Sequence, residues 1–167
     1  MGVAAVLRPK VPMGFIDGTP FVAALGVAET LGAHVAWPHA VVDGEGAELA
    51  RVTTRAGYDD EGIYVTLELE GEAATDAAAD AAAARVDAWS EAVAAGSKAG
   101  PLAAVLEDYF DACLLMGKPV AVVRRDGSVA CKGTLAGMDI WGRVTVKLLD
   151  GREVEVAPGQ AAVEALG

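Results

Sequence analysis

The sequence predicts an α+β protein, with a partial α/β layer over Met1 to Met116 followed by a small SH3-like β-barrel over Gly117 to Gly167. Three observations carry this expectation. A helical stretch, Phe21 to Leu31, stands between the β-rich runs Val3 to Leu7 and Val35 to Val42, and such a helix must cover one face of the sheet. Ile63 to Glu70 alternates apolar and polar side chains with period two, the mark of a strand with one wet face. From Gly117 onward, short apolar runs are punctuated by Asp126-Gly127 and Asp150-Gly151, which read as hairpin turns.

Taken in order, Val3 to Leu7 reads as a buried strand closed by Arg8-Pro9. After a turn-rich connection, Thr19 stands before Pro20 as an N-cap followed by proline in the first turn, and Gly32 stops the helix. Val35 to Val42 is a strand interrupted at Trp37-Pro38 and ended by a turn at Asp43-Gly44. Leu49 to Thr54 and Ile63 to Glu70, separated by a polar turn from Gly57 to Gly62, continue as an antiparallel meander.

Glu72 to Ala95 is so rich in alanine that a low-complexity linker is one reading. Alanine has the highest helix propensity, however, and Val86, Trp89 and Val93 fall on one helical face, so helix is the reading preferred. Gly96 to Gly100 breaks it, and Leu102 to Met116 reads as a second amphipathic helix restarted by Pro101. Four strands follow, Pro119 to Arg125, Val129 to Met138, Arg143 to Leu149 and Arg152 to Val156, with Val120, Val122, Val144, Val146 and Leu148 as the barrel core.

With 167 residues there is room for one ordinary domain, or a small domain and an accessory module. A formal charge of -11, from 24 acidic against 13 basic residues, repels nucleic acid and anionic membranes and argues against both as partners. Cys113 and Cys131 are not at metal-ligand spacing and read as reduced thiols. No signal peptide or membrane span is visible, since Val3 to Leu7 is too short, and a cytoplasmic location is expected.

Several polar residues invite a functional reading. His39 has the chemistry of an acid–base group or ligand, but no histidine or carboxylate partner sits at ligand spacing, and a polar residue at a strand edge is preferred. Asp59-Asp60-Glu61 reads as a solvated turn and Asp76, Asp80 and Asp87 as the wet face of a helix, so no metal is expected. Arg124, Arg125 and Lys132, extended by Arg143 and Lys147, make a basic cluster that is either a solvated hairpin surface or a partner contact. Trp141, at a turn tip, is the aromatic best placed to anchor a partner.

The order of these stretches resembles the C-terminal half of the biotin protein ligases, of the biotin/lipoate protein ligase family. Trp37 and Pro38 stand where that family has Lys-Trp-Pro-Asn-Asp. Leu7-Arg8-Pro9 resembles the segment after the family's substrate loop, and Phe21 to Leu31 the helix beside its biotin pocket. Met116-Gly117-Lys118-Pro119-Val120, with Gly133 to Asp139 and Gly142, is similar to the family's C-terminal barrel. The resemblance implies a ligase that joins biotin to ATP as biotinyl-adenylate and passes biotin to a lysine of an acceptor domain.

The same resemblance marks what differs. Ala36 replaces the motif lysine, His39 the asparagine and Ala40 the aspartate, leaving Trp37, Pro38 and Arg51 as the candidate ligand contacts. Arg51 stands at the glycine of a Lys-Leu-Ala-Gly-Ile-Leu segment, and Tyr64 to Glu70 lacks the glycines and asparagines of Gly-Ile-Gly-Ile-Asn-Val-Asn. The Gly-Arg-Gly-Arg loop that covers the phosphates precedes the point in the family where this sequence begins. The expectation is therefore a ligase-like pseudoenzyme acting as a binding or assembly module, with no cofactor, or biotin and ATP if the family activity survives. The alternatives are one half of a split biotin–protein ligase completed by a partner chain, and a partner-binding SH3-like module. A homodimer through the α/β part is also expected, because the first strand leaves a sheet edge open.

Overall fold

Residues 2–96 and 99–166 are described by the computed structural model. Among them β1 (Gly2–Leu7), β2 (His34–Ala36), β3 (Ala40–Val42), β4 (Glu48–Asp59) and β5 (Gly62–Glu70) form one sheet in the order β1-β5-β4-β3-β2, antiparallel throughout. The strands on either side of the first helix therefore lie at opposite edges of the sheet and are not neighbours. β1 is not the buried strand the sequence suggests: Leu7 is its one buried residue, and Val6 is 63% exposed. The polar stretch from Gly57 belongs largely to the β4–β5 hairpin, with Asp59 paired to Gly62 and the turn reduced to Asp60-Glu61.

A 3-10 helix (Met13–Gly18) leads into α1 (Thr19–Leu31), whose first ten residues are all buried. α1 is buried on several sides because it lies between the sheet and α2 (Asp76–Ala95). Gly26 lets the two helices come close: a Cβ there would lie 2.6 Å from the Arg85 Cβ and 2.9 Å from the Ala81 carbonyl oxygen. Ala78, Ala82, Val86, Trp89 and Val93 form the buried stripe of α2, and Trp89 Nε1 donates to the Pro101 carbonyl at 2.7 Å. Burying side chains of Trp89's class stabilises a fold by about 1.5–3 kcal/mol each.

The two helix starts differ in their capping. Thr75 caps α2 as a good N-cap should, its Oγ1 accepting from Ala78 N–H at 3.1 Å. Thr19 does not cap α1: Gly18 occupies that position, and the buried Thr19 Oγ1 has no hydrogen-bond partner. Gly32 ends α1 in the left-handed conformation, φ 63°, as expected.

The second amphipathic helix is much shorter than its periodicity suggests. α3 covers only Leu106–Ala112, because tertiary hydrogen bonds take both flanks. Leu102 N–H donates to Ile140 O at 2.9 Å, and Leu114 N–H to Val35 O at 3.0 Å, where Cys113 makes a parallel bridge with Val35.

Five further strands, β6 (Pro119–Val123), β7 (Val129–Met138), β8 (Val144–Leu148), β9 (Glu153–Val156) and β10 (Ala162–Ala165), form a second antiparallel sheet in the order β10-β6-β7-β8-β9. β10 was not apparent in the sequence, and no ladder joins it to β9 among the described residues, so the expected barrel is an open sheet. Gly133 is required by close approach, since a Cβ there would lie 2.3 Å from the Lys147 carbonyl oxygen. Val120, Val122, Val144 and Val146 are buried as expected, and Leu148 is half-buried. They share one continuous core with Tyr109 and Trp37 of the first part of the chain.

Candidate functional site

The register of the first sheet brings three of the sequence-selected positions together. Ala36 pairs with Ala40, Ala40 with Arg51, and Arg51 with Glu70. Residues directly opposite one another share a face, so Ala36, Ala40 and Arg51 form one row across β2, β3 and β4. That face is the one away from the helices: Val35, Val41, Ala50 and Val52, one step along each strand, point into the core instead. The row is made of the half-buried Ala36 methyl, the buried Ala40 methyl and the exposed Arg51 guanidinium, which Glu48 holds at 2.7 and 3.2 Å. Beyond it on the same face, Thr53 opposes Glu68 and Arg55 opposes Thr66, giving an open polar surface.

Trp37, Pro38 and His39 make the turn between β2 and β3, and each is engaged by packing. Trp37 Nε1 donates to the Gly142 carbonyl at 2.8 Å, pinning the β7–β8 turn of the second sheet against this turn of the first. Gly142 has φ 87°, and a Cβ there would lie 2.5 Å from Phe21 Cζ. Tyr109 Oη donates to the Pro38 carbonyl at 2.9 Å, and the Trp37–Pro38 peptide is cis.

His39 is not the strand-edge residue expected from the sequence. Its ring stands edge-on to Phe21 at 4.5 Å, and its Nε2 is buried without a hydrogen-bond partner. Burial, aided by the positive charge of Arg51, lowers its pKa to about 4. The imidazole is therefore neutral near pH 7 and packs as an aromatic group. Burial also pushes the Tyr109 hydroxyl and the Cys113 thiol up, which keeps both protonated.

The basic cluster does not assemble. Arg124 and Arg125 lie at the β6–β7 turn and Arg143 at the β7–β8 turn, opposite ends of the ten-residue β7. Arg124 donates to Ser128 Oγ at 3.3 Å, Arg125 to the Gly159 carbonyl at 2.6 and 3.0 Å, and Arg143 to Asp139 at 2.7 Å. Lys132, within β7, pairs with Ala121. Trp141 is 49% exposed, but its ring stands edge-on to Phe15 at 6.3 Å and so leans on the first part of the chain. Asp59 is tied to Arg8 at 2.9 and 2.5 Å. Among the described residues no three His, Cys, Asp or Glu side chains converge as metal ligands, and no helix is long and apolar enough to cross a membrane.

Phe21 and Tyr109, which pack around the Trp37–His39 turn, read in the sequence only as members of helical stretches, and Gly142 only as part of the second module. Nothing local marks these roles, because they come from contacts between residues far apart in the chain, Tyr109 with Pro38 and with Phe21, and Gly142 with Phe21.

The architecture is that of the biotin protein ligases. A biotin protein ligase from Aquifex aeolicus in complex with biotin and ATP matches 99% of this chain and 78% of its own, with a TM-score of 0.67 and 16% identity. The apo structure of the Aquifex aeolicus ligase matches 99% of this chain and 82% of its own, with a TM-score of 0.67 and 14% identity. A biotin protein ligase-like protein of unknown function from Silicibacter sp. matches 93% of this chain and 77% of its own, with a TM-score of 0.62 and 20% identity. The sequence matches no family model and no curated protein.

Proposed function

We propose that this chain is a biotin protein ligase-like protein that does not itself form biotinyl-adenylate and acts as a binding or assembly module. The observation that carries the reading is the row Ala36, Ala40 and Arg51, side by side on the face of the first sheet away from the helices. Forming an acyl-adenylate builds negative charge at the α-phosphate, which needs cations or donors aimed at that charge. Two methyl groups supply none, and the Arg51 guanidinium is engaged by Glu48 at 2.7 Å. Arg51 also puts a long side chain where the resemblance has a glycine for biotin to approach.

The test is pyrophosphate release by the purified chain with biotin and ATP, alongside transfer of biotin to an acceptor domain. Neither is expected, and biotin-dependent release of pyrophosphate defeats the reading. If the chain is active, its reaction is that of an ATP-dependent biotin–protein ligase.

A second reading is favoured by β1, which pairs only with β5 and leaves its other edge without a partner among the described residues. A second copy, or a complementary chain that completes a split ligase, would satisfy those backbone groups. Mixing with such a chain would then restore pyrophosphate release, an outcome the first reading does not allow.

A further inference from the structure

On the helix-bearing side of the first sheet, the β4–β5 hairpin runs past the helices that cover its base. Ala56, Tyr58 and Ile63 lie on the same face as the buried Val65, because Ala56 pairs with Val65 and Tyr58 with Ile63. Here a hollow of about 370 Å³ opens between Tyr58, Ile63 and Ala56 on one side and Met13 and Ile16 of the 3-10 helix on the other. Met13 is 72% exposed and Tyr58 75%. Two large apolar side chains this exposed in one hollow are unusual on a protein surface and mark a contact site.

The rim is acidic. Asp17 lines the hollow, and Asp60 and Glu61 form the hairpin turn beside Tyr58 and Ile63. The cation placed there, Arg8, is already bound by Asp59 and lies 3.5 Å from Glu61. Arg55 points to the opposite face, where it pairs with Thr66.

From this geometry we infer a docking groove for a peptide segment of another protein that carries apolar side chains flanked by lysine or arginine. Charge decides against a second copy of this chain: two-fold pairing would set Asp17, Asp60 and Glu61 against their own counterparts in a molecule of formal charge -11. Openness decides against a small ligand, since small-molecule sites enclose most of the ligand surface and this hollow has two largely exposed walls. A peptide laid along the trough covers Met13 and Tyr58 and brings its cations to the rim. The groove lies on the opposite side of the sheet from the row Ala36 to Arg51, so the inference stands whether or not the chain makes an adenylate.

Methyl NMR on the full chain tests it well, because two of its three isoleucines, Ile16 and Ile63, line the groove. The third, Ile140, packs on Gly100 and serves as the internal reference. The probe is a short synthetic peptide with a Leu-Phe centre flanked by lysines, compared with the same centre flanked by glutamates. The lysine peptide is expected to shift the Met13, Ile16 and Ile63 methyls, and to bind about tenfold more tightly than the glutamate peptide and about tenfold more tightly than it binds Asp17→Lys. Tyr58→Ala weakens binding of both peptides. Both substitutions are at exposed positions, and an unchanged Ile140 signal verifies the fold. Equal affinity for the two peptides, no shift at millimolar peptide, or concentration-dependent shifts confined to the groove methyls without peptide, Ile140 being unmoved, each overturns the proposal, the last in favour of a second copy.

Discussion

Replacing His39 by glutamine isolates one protonation event in the stability of this protein. In the unfolded chain the imidazole titrates near 6.5, whereas in the folded protein burial beside Phe21 and the Arg51 charge hold it at about 4. Between those values the unfolded state binds more protons than the folded state, so stability is full above about pH 6.5 and declines as the pH falls toward 4. One proton corresponds to a slope of about 1.4 kcal/mol per pH unit, and the whole interval to about 3 kcal/mol. Asp59, Asp126 and Asp150 are held by hydrogen bonds below the usual carboxylate range, so their contribution begins to be lost only at the acidic end of this window and is common to wild type and variant. Relief of acidic self-repulsion on acidification is common to wild type and variant and cancels in their difference. Urea unfolding of both proteins at intervals from pH 7 to pH 4 should show the wild type losing its advantage over His39→Gln by about 3 kcal/mol. Parallel pH profiles would mean that His39 is not desolvated as its packing against Phe21 requires.

Three further outcomes follow from the same geometry. Ala36→Lys should not produce biotin-dependent pyrophosphate release, since Arg51 still stands in the adjacent row position; measurable turnover would show that one cation was all that was missing. Gly142→Ala, which combines a left-handed backbone with a Cβ 2.5 Å from Phe21, should lower unfolding stability. The expected loss is about 2–5 kcal/mol, and under about 1 kcal/mol in chemical denaturation would contradict the close packing of the two turns. We also expect the full chain to sediment as a dimer formed along the open edge of β1, and Val6→Lys to shift it toward monomer by placing charge on that edge. A wild-type monomer at all concentrations removes the edge argument.

Much of the fold is legible because local signals agree with tertiary demand. The period-two pattern of Ile63 to Glu70, the apolar stripe of α2 and the glycine stop at Gly32 all match their final environments. Where they disagree, the tertiary contact prevails. Leu102 and Val105 are buried as a helical face would be, yet Leu102 gives its N–H to Ile140 and the helix starts only at Leu106. β10 is a four-residue strand of alanine, valine and glutamate that pairs with β6 and leans Val163 on the core, contacts no local pattern announces. Tyr58 stands in the polar stretch Gly57 to Gly62, whose composition reads as a turn, so the apolar wall of the groove has no local signal. The candidate row shows a different limit: its three residues stand out individually by resemblance, but their adjacency depends on the register of β2, β3 and β4, including the bulge between Val41 and Val42.

The Trp37–Pro38 pair separates architecture from chemistry. The Trp37 indole N–H holds the Gly142 carbonyl, and the Pro38 carbonyl accepts from Tyr109. Removing either contact would leave a buried polar group unpaired at the joint between the sheets, at a cost of about 1–3 kcal/mol. Both residues are thus accounted for by the folded state alone, whatever the sheet face nearby can bind. Ala36 and Ala40 make no hydrogen-bonded side-chain contact that a fold would need, and Arg51 reaches only to Glu48 on its own strand. Trp-Pro in a ligase-like fold therefore speaks for the docking of its two sheets and is silent about activity, which must be judged at positions 36, 40 and 51.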